Sequence, residues 1–193
     1  METSEESLCK IESLNSIGFL ASIKKGETKH KFLIALSHDK KPQPLKNELE
    51  FTLMNGETNK LSLTNHFTKI INVNEKFVYV INILKTDNLD TLKFVEIDLE
   101  DCNKYKNESI FVLFYNENSN EDFIMGRIKN IENKEMEISH NIIRVEEKGM
   151  AGSPVILKSN SKVIGIHCGA EWTDSVSKCL LISEIVKELS LDN

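Results

Sequence analysis

The sequence has few of the residues that break, pin or steer a chain. Three prolines and eight glycines among 193 residues leave no Pro- or Gly-rich linker and no low-complexity tract. Cys9, Cys102, Cys168 and Cys179 lack C-x-x-C spacing, which argues against a zinc site. No metal or other cofactor is expected. No apolar run approaches the roughly 20 residues that a membrane-spanning helix needs. Met1 is followed by E-T-S-E-E-S, which has neither the positive segment nor the apolar core of a signal peptide. The expectation is therefore a cytoplasmic or nuclear chain with reduced thiols. There is no basic block, and the net charge of −6 argues against a nucleic-acid surface, because phosphate affinity comes mostly from Lys and Arg.

What remains is an ordinary globular composition, 40% hydrophobic and 28% charged, long enough for a proper core. Short runs rich in Val, Ile, Phe and Thr alternate with polar turns, the pattern of an all-β sandwich or barrel. The pattern predicts strands at Leu8–Glu12, Ile17–Lys24, Lys31–Ser37, Leu49–Met54, Phe67–Val73, Phe77–Leu84 and Leu92–Ile97. Further strands follow at Ile110–Tyr115, Phe123–Asn130, Glu135–Ile143, Pro154–Leu157, Lys162–His167 and Lys178–Ile182. One helix is predicted at the end. Ser183 is its N-cap candidate, Glu184 lies in its first turn, and Ile185, Val186 and Leu189 form its apolar face. The polar stretch Asp101–Glu108 is the best internal boundary.

One stretch carries most of the chemical information: Lys148 to Gly169, K-G-M-A-G-S-P-V-I-L-K-S-N-S-K-V-I-G-I-H-C-G. Gly149, Gly152 and Pro154 bracket a loop whose backbone N–H groups can converge on one spot. Two converging donors are what a developing oxyanion needs. The competing reading is a Gly-rich turn between two core strands.

The loop resembles the nucleophile loop of the chymotrypsin/trypsin-like serine or cysteine proteases, with Ala151 at the nucleophile position. Ser16-Ile17-Gly18-Phe19-Leu20 and Lys31-Phe32-Leu33-Ile34-Ala35-Leu36-Ser37-His38 resemble the family's first hairpin, which ends at the general-base His. The resemblance assigns that role to His38; His30 is a weaker candidate. Ser16, where the family often has Gly, and Asp39 depart from the pattern. Asn88–Ile97 resembles the strand bearing the triad acid, which points to Asp90, with Asp87 as the rival. The N–H groups of Gly149 and Ala151 would form the oxyanion hole. Met150 replaces the acid that pairs with a freed N-terminus in secreted members, so the chain resembles the intracellular and viral branches. Val163–Gly169 resembles the strand that pairs with substrate. On it His167, Cys168 and Gly169 would bind substrate, with His167 reading a Gln or Glu side chain or serving as a barrel histidine. Trp172 would cover one edge of the cleft.

The resemblance implies two antiparallel β-barrels in a single peptidase domain: an N-terminal barrel at about 8–100, a linker at 101–108, a C-terminal barrel at 109–182 and a helix at 183–192. It also implies that His38, Asp90 and Ala151 converge. A hydroxyl or thiolate is the nucleophile this chemistry requires; alanine has neither, and Ser153 sits two residues too far along. Two readings of Ala151 stand: an altered form of an active endopeptidase, or a pseudoprotease that binds peptides or protein partners. A β-barrel interaction module without cleft chemistry is the third reading.

Overall fold

A computed structural model describes residues 6–37, 39, 41–115, 121–140, 150–168 and 176–189. It is nearly all β and divides into two compact units, 1–96 and 97–193. His38, Gly149, Gly169, Ala170, Trp172 and the 141–143 end of one expected strand lie outside the described residues.

The first unit is one eight-stranded sheet. Its strands are β1 (Leu8–Ile11), β2 (Ser16–Lys25), β3 (Thr28–Ser37), β4 (Glu48–Leu53), β5 (Thr58–Ser62), β6 (Thr68–Val73), β7 (Lys76–Ile83) and β8 (Val95–Glu96). The order is β5-β4-β1-β2-β3-β7-β6, with β8 parallel to β2. Of the two expected β-barrels, this one is a curled half-barrel. The chain leaves β5 through a 3-10 turn at Leu63–Asn65 and lays β6 on β7 rather than back on β5, so the sheet curls without closing. Apolar side chains on its inner face, among them Leu20, Leu33, Phe51, Leu61, Tyr79 and Ile81, form one core. Strict alternation in β4, exposed Glu48 and Glu50 against buried Leu49, Phe51 and Leu53, is the period-2 signature of a strand with one covered face.

The second unit is a closed barrel. Its strands are β9 (Ser109–Tyr115), β10 (Glu121–Glu132), β11 (Glu135–His140), β12 (Pro154–Leu157), β13 (Val163–His167) and β14 (Val176–Leu181). They run β10-β11-β14-β13-β12-β9, and β9 pairs with β10 to close the ring. Ile110, Val112, Phe114, Ile138, Val155, Ile164 and Leu181 fill its interior. Closure requires close approach at Gly165. A β-carbon there would lie 2.3 Å from Met136 Cε and 2.7 Å from the Leu180 carbonyl oxygen, so no larger residue fits without movement.

The division between the units falls earlier than the expected linker. Ile97 bridges to Val163, and the Asp98 N–H donates to the Val163 carbonyl at 2.9 Å. Asp98 is 5% exposed and accepts bonds from Glu100 N–H at 2.9 Å and Asn160 Nδ2 at 2.7 Å. Burial raises its pKa, but these bonds and one with Tyr105 outweigh that and hold the carboxyl below its ordinary range. Residues 101–108 belong to the second unit: Asp101 caps the 3-10 turn Cys102–Tyr105, and Tyr105 enters the barrel core. The closing helix, α1 (Ile182–Lys187), begins directly after β14. Ser183 is therefore inside it, and Leu181 takes the N-cap position without a side-chain bond.

Candidate functional site

The loop from Met150 to Pro154 is a hydrogen-bonded turn. Ser153 N–H donates to the Met150 carbonyl at 3.1 Å, which places Ala151 and Gly152 at its two central positions. Gly152 has φ +91°, the conformation that the third residue of a type II turn needs and that a side chain resists. Two more bonds fasten the turn to β13: Gly152 N–H to the His167 carbonyl at 2.9 Å and His167 N–H to the Ser153 carbonyl at 2.8 Å. β12 then starts at Pro154, paired with Ile166. Among the described residues, no acceptor takes the Ala151 N–H. Ser153 is fully buried, and its Oγ has no hydrogen-bond partner among the described residues. It offers no hydroxyl to stand in at position 151.

His167 lies directly beneath this turn and is 0% exposed. Its ring lies close enough to the Met150 backbone to be influenced by it. The His140 ring meets it edge-on at 6.3 Å between centroids and 61° between planes, and His140 Nε2 lies 2.6 Å from Ser177 Oγ. Loss of solvation holds His140 down at about 4. Burial, then the neighbouring His140, holds His167 down at about 3, against the influence of the Met150 backbone, which favours its charged form. Both rings are neutral at physiological pH. As described, the His167 ring has no exposed surface with which to meet a substrate. Cys168 is half-buried and its N–H donates to the Lys178 carbonyl at 3.0 Å. The position Gly169 would take beside it, like that of Gly149 in the oxyanion hole, lies outside the described residues.

In the first unit, β3 leads towards His38. Ser16, the departure from the family's glycine, is buried, and its Oγ donates to the Leu36 carbonyl near the end of β3. Asp39 N–H donates to Ser37 Oγ at 3.1 Å. Ser37 pairs with Phe77, so the tight β6–β7 turn at Asn74 and Glu75 lies at this same end of the sheet.

Asp90 lies elsewhere. Its carboxylate accepts from Lys31 Nζ at 2.7 Å and is 70% exposed. The Lys31 ammonium holds its pKa below the ordinary range, and Lys31 Nζ also sits 4.7 Å from the centroid of the Phe94 ring. Lys31 is six residues before Ser37 on an extended strand, about 20 Å at the usual rise. The rival Asp87 is engaged at that far end too. Its Oδ2 accepts Leu84 N–H at 2.6 Å and lies 2.9 Å from His66 Nε2, with the two side chains 4% (His66) and 10% (Asp87) exposed. The structure thus brings neither aspartate to the end of β3 that leads into His38. Sequence reasoning passed over both the His66–Asp87 pair and Glu75. The signal for Glu75 was the N-E turn immediately before a strong strand, F-V-Y-V-I.

Among the described residues, no cluster of His, Cys, Asp or Glu is arranged to hold a metal, all four cysteines are free, and no helix is long and apolar enough to cross a membrane.

No family model and no curated protein matches the sequence. Solved structures do. The Rv3671c protease in an inactive form superimposes with a TM-score of 0.63 at 16% identity, covering 98% of this chain and 90% of that one. A serine-to-alanine mutant of Rv3671c from M. tuberculosis, also inactive, gives 0.63 at 17% identity over 98% and 87%. The serine endoprotease from Yersinia pestis gives 0.57 at 10% identity over 96% of this chain and 62% of that chain. The chain therefore has the chymotrypsin-like double-β fold of these serine proteases.

Proposed function

We propose that the chain is an endopeptidase-type domain that binds extended peptides and, with alanine at position 151, does not cleave them. The observation that carries this reading is the turn at 150–153. It keeps the bonds and the Gly152 conformation that hold an oxyanion donor in place, while the attacking atom is missing. An N–H without an acceptor costs free energy unless a ligand uses it, and a peptide carbonyl is such a ligand. Affinity in this mode comes from backbone pairing with a strand end and from side-chain pockets, neither of which needs a nucleophile. Cys168, with Gly169 beyond it, is the segment assigned to that pairing.

His38 is the base assigned to serve a nucleophile at position 151. For the acid that orients it, the register of β3 and β7 supports Glu75, across from the end of β3, over Asp90. The acid would fix the imidazole tautomer and stabilise the imidazolium.

The test is to install the missing atom. Ala151→Ser or Ala151→Cys should hydrolyse a peptide library. The unaltered chain should bind members of that library and leave them intact. Activity then lost in His38→Ala would identify the base. Binding without hydrolysis in either variant would support a pure peptide-binding pseudoprotease. Absence of binding to any extended peptide would reject the reading in favour of a barrel module with another ligand.

A further inference from the structure

The chain enters the barrel core on both sides of the turn at 150–153. Met150, 1% exposed, and Val155 both belong to the apolar cluster that fills the barrel. Val155 is held there as a strand residue, paired with Val112 on β9 and Gly165 on β13. Met150 precedes β12 and joins the cluster through its side chain. The two backbone bonds that fasten the turn to β13 fall on its second half, at Gly152 and Ser153. Its first half is the peptide unit Met150–Ala151, whose N–H is the donor assigned to the oxyanion. That unit is planar and runs from one α-carbon to the next. Gly152 ties down the Ala151 end through its bond to the His167 carbonyl. Burial of the Met150 side chain ties down the other end.

We infer that Met150 is a positioning residue: its side chain, packed into the core of the second barrel, anchors the first half of the turn and so holds the Ala151 N–H in place as an oxyanion donor. This rests on the peptide-site reading above. An acid at position 150, buried in this core, would need a cationic partner to offset its lost solvation. A thioether needs only apolar neighbours, and its unbranched, adaptable side chain suits a gap between strand residues. The donor is then set by the packing of the barrel itself, with no ionic partner.

Met136 on β11 supplies the control, being the same side chain, 0% exposed, in the same cluster. Met150–Ala151 is the only Met–Ala pair in the sequence, so 13C-carbonyl methionine with 15N-alanine identifies the Ala151 amide NMR peak in the unaltered chain. In 15N-alanine spectra of the variants, Ala21 and Ala35, on β2 and β3, serve as references. Met150→Ala and Met136→Ala each take a methionine from the core, so each should lower the urea midpoint. Only Met150→Ala should displace or broaden the Ala151 peak beyond the ordinary effect of a changed preceding residue. Met150→Leu, apolar and of like volume, should leave it in place. An undisturbed peak in Met150→Ala, or equal disturbance in Met136→Ala, would overturn the inference. Should Met150→Ala fail to fold, Met150→Val is read by the same criteria. The kinetic arm uses Ala151→Ser. There Met150→Ala should lower kcat by up to about 10²–10³, the usual cost of one oxyanion donor, with KM little changed and with recovery in Met150→Leu. An equal loss in Met136→Ala would also overturn it. If Ala151→Ser has no activity at all, the endopeptidase reading falls, and the amide peak alone still judges the role of Met150.

Discussion

Acid should loosen the second barrel, and the two buried histidines set how much. His140 is 6% exposed and His167 is 0% exposed. Their folded pKa values are depressed to about 4 and about 3, against roughly 6.5 in an unfolded chain. Below 6.5 the unfolded chain binds protons that the folded one refuses, so stability is full above that value and falls with pH until the folded values are reached. Each unit of pH in this window costs about 1.4 kcal/mol per histidine. At about pH 5 that is ~2 kcal/mol each and ~4 kcal/mol together, a large share of an ordinary domain's 5–15 kcal/mol. His140 also faces His167, and charging one discourages charging the other. Among the described residues, titratable neighbours include Cys179 opposite, Cys168 next in sequence and Glu135, and burial raises the Cys179 thiol well above this range. The assay is native-state hydrogen exchange at Val112, in the middle of β9, and at Leu180, towards the end of β14, at about pH 7.5 and, after a jump, at about pH 5, with intrinsic rates corrected. The opening free energy should drop by several kcal/mol. A double variant, His140→Gln with His167→Gln, should be less stable at neutral pH but nearly flat between the two conditions. An unchanged opening free energy in the parent chain, or an equal drop in the double variant, would refute the reasoning.

In an active Ala151→Ser background, Glu75→Gln should reduce kcat strongly, by up to ~10⁴ if it serves as the triad acid, while Asp90→Asn should leave the rate nearly unchanged; the reverse pattern, read from steady-state kinetics, would return the role to Asp90. Gly165→Ala should destabilise the second barrel by about 1–3 kcal/mol through overpacking, measured by urea denaturation, because its β-carbon would meet Met136 and the Leu180 carbonyl. Ala151 is buried, so Ala151→Ser should cost that barrel no more than about 1–3 kcal/mol, the cost of a buried hydroxyl without a partner; a much larger loss would mean that position 151 cannot take a hydroxyl.

Much of the architecture was legible from short-range pattern. Val, Ile and Phe at period 2 gave strands such as 67–73, 77–84 and 110–115 nearly to the residue, because a half-covered strand must alternate. The glycine turn was legible because only glycine takes φ +91° without strain. What escaped depended on pairing between distant segments. β5 carries one apolar residue in T-N-K-L-S and is a strand only because β4 supplies its ladder. The expected strand at 92–97 shrank to Val95–Glu96, since Leu92 and Phe94 pack against the core instead of entering a ladder. The choice among Asp87, Asp90 and Glu75 was beyond local reading. D-T-L-K-F matched a motif, yet the register of β3 on β7 decides which carboxylate stands near the end of β3. The N-cap shifted from Ser183 because β14 runs straight into the helix and leaves no turn for a serine to cap.

Tyr79 is buried in the core of the first unit, and its hydroxyl both accepts Gln43 N–H at 2.7 Å and donates to the Gln43 carbonyl at 2.9 Å. Gln43 itself is exposed, in the segment between β3 and β4 that directly follows the position of His38. The solvent side of that segment therefore has its anchor in the hydrophobic interior. To lift away, it must strip a core phenol of both partners, so it cannot open as an independent flap. Its opening is tied to the melting of the sheet, and the Gln43 amide, although at the surface, should exchange on the slow timescale of the strands beneath it.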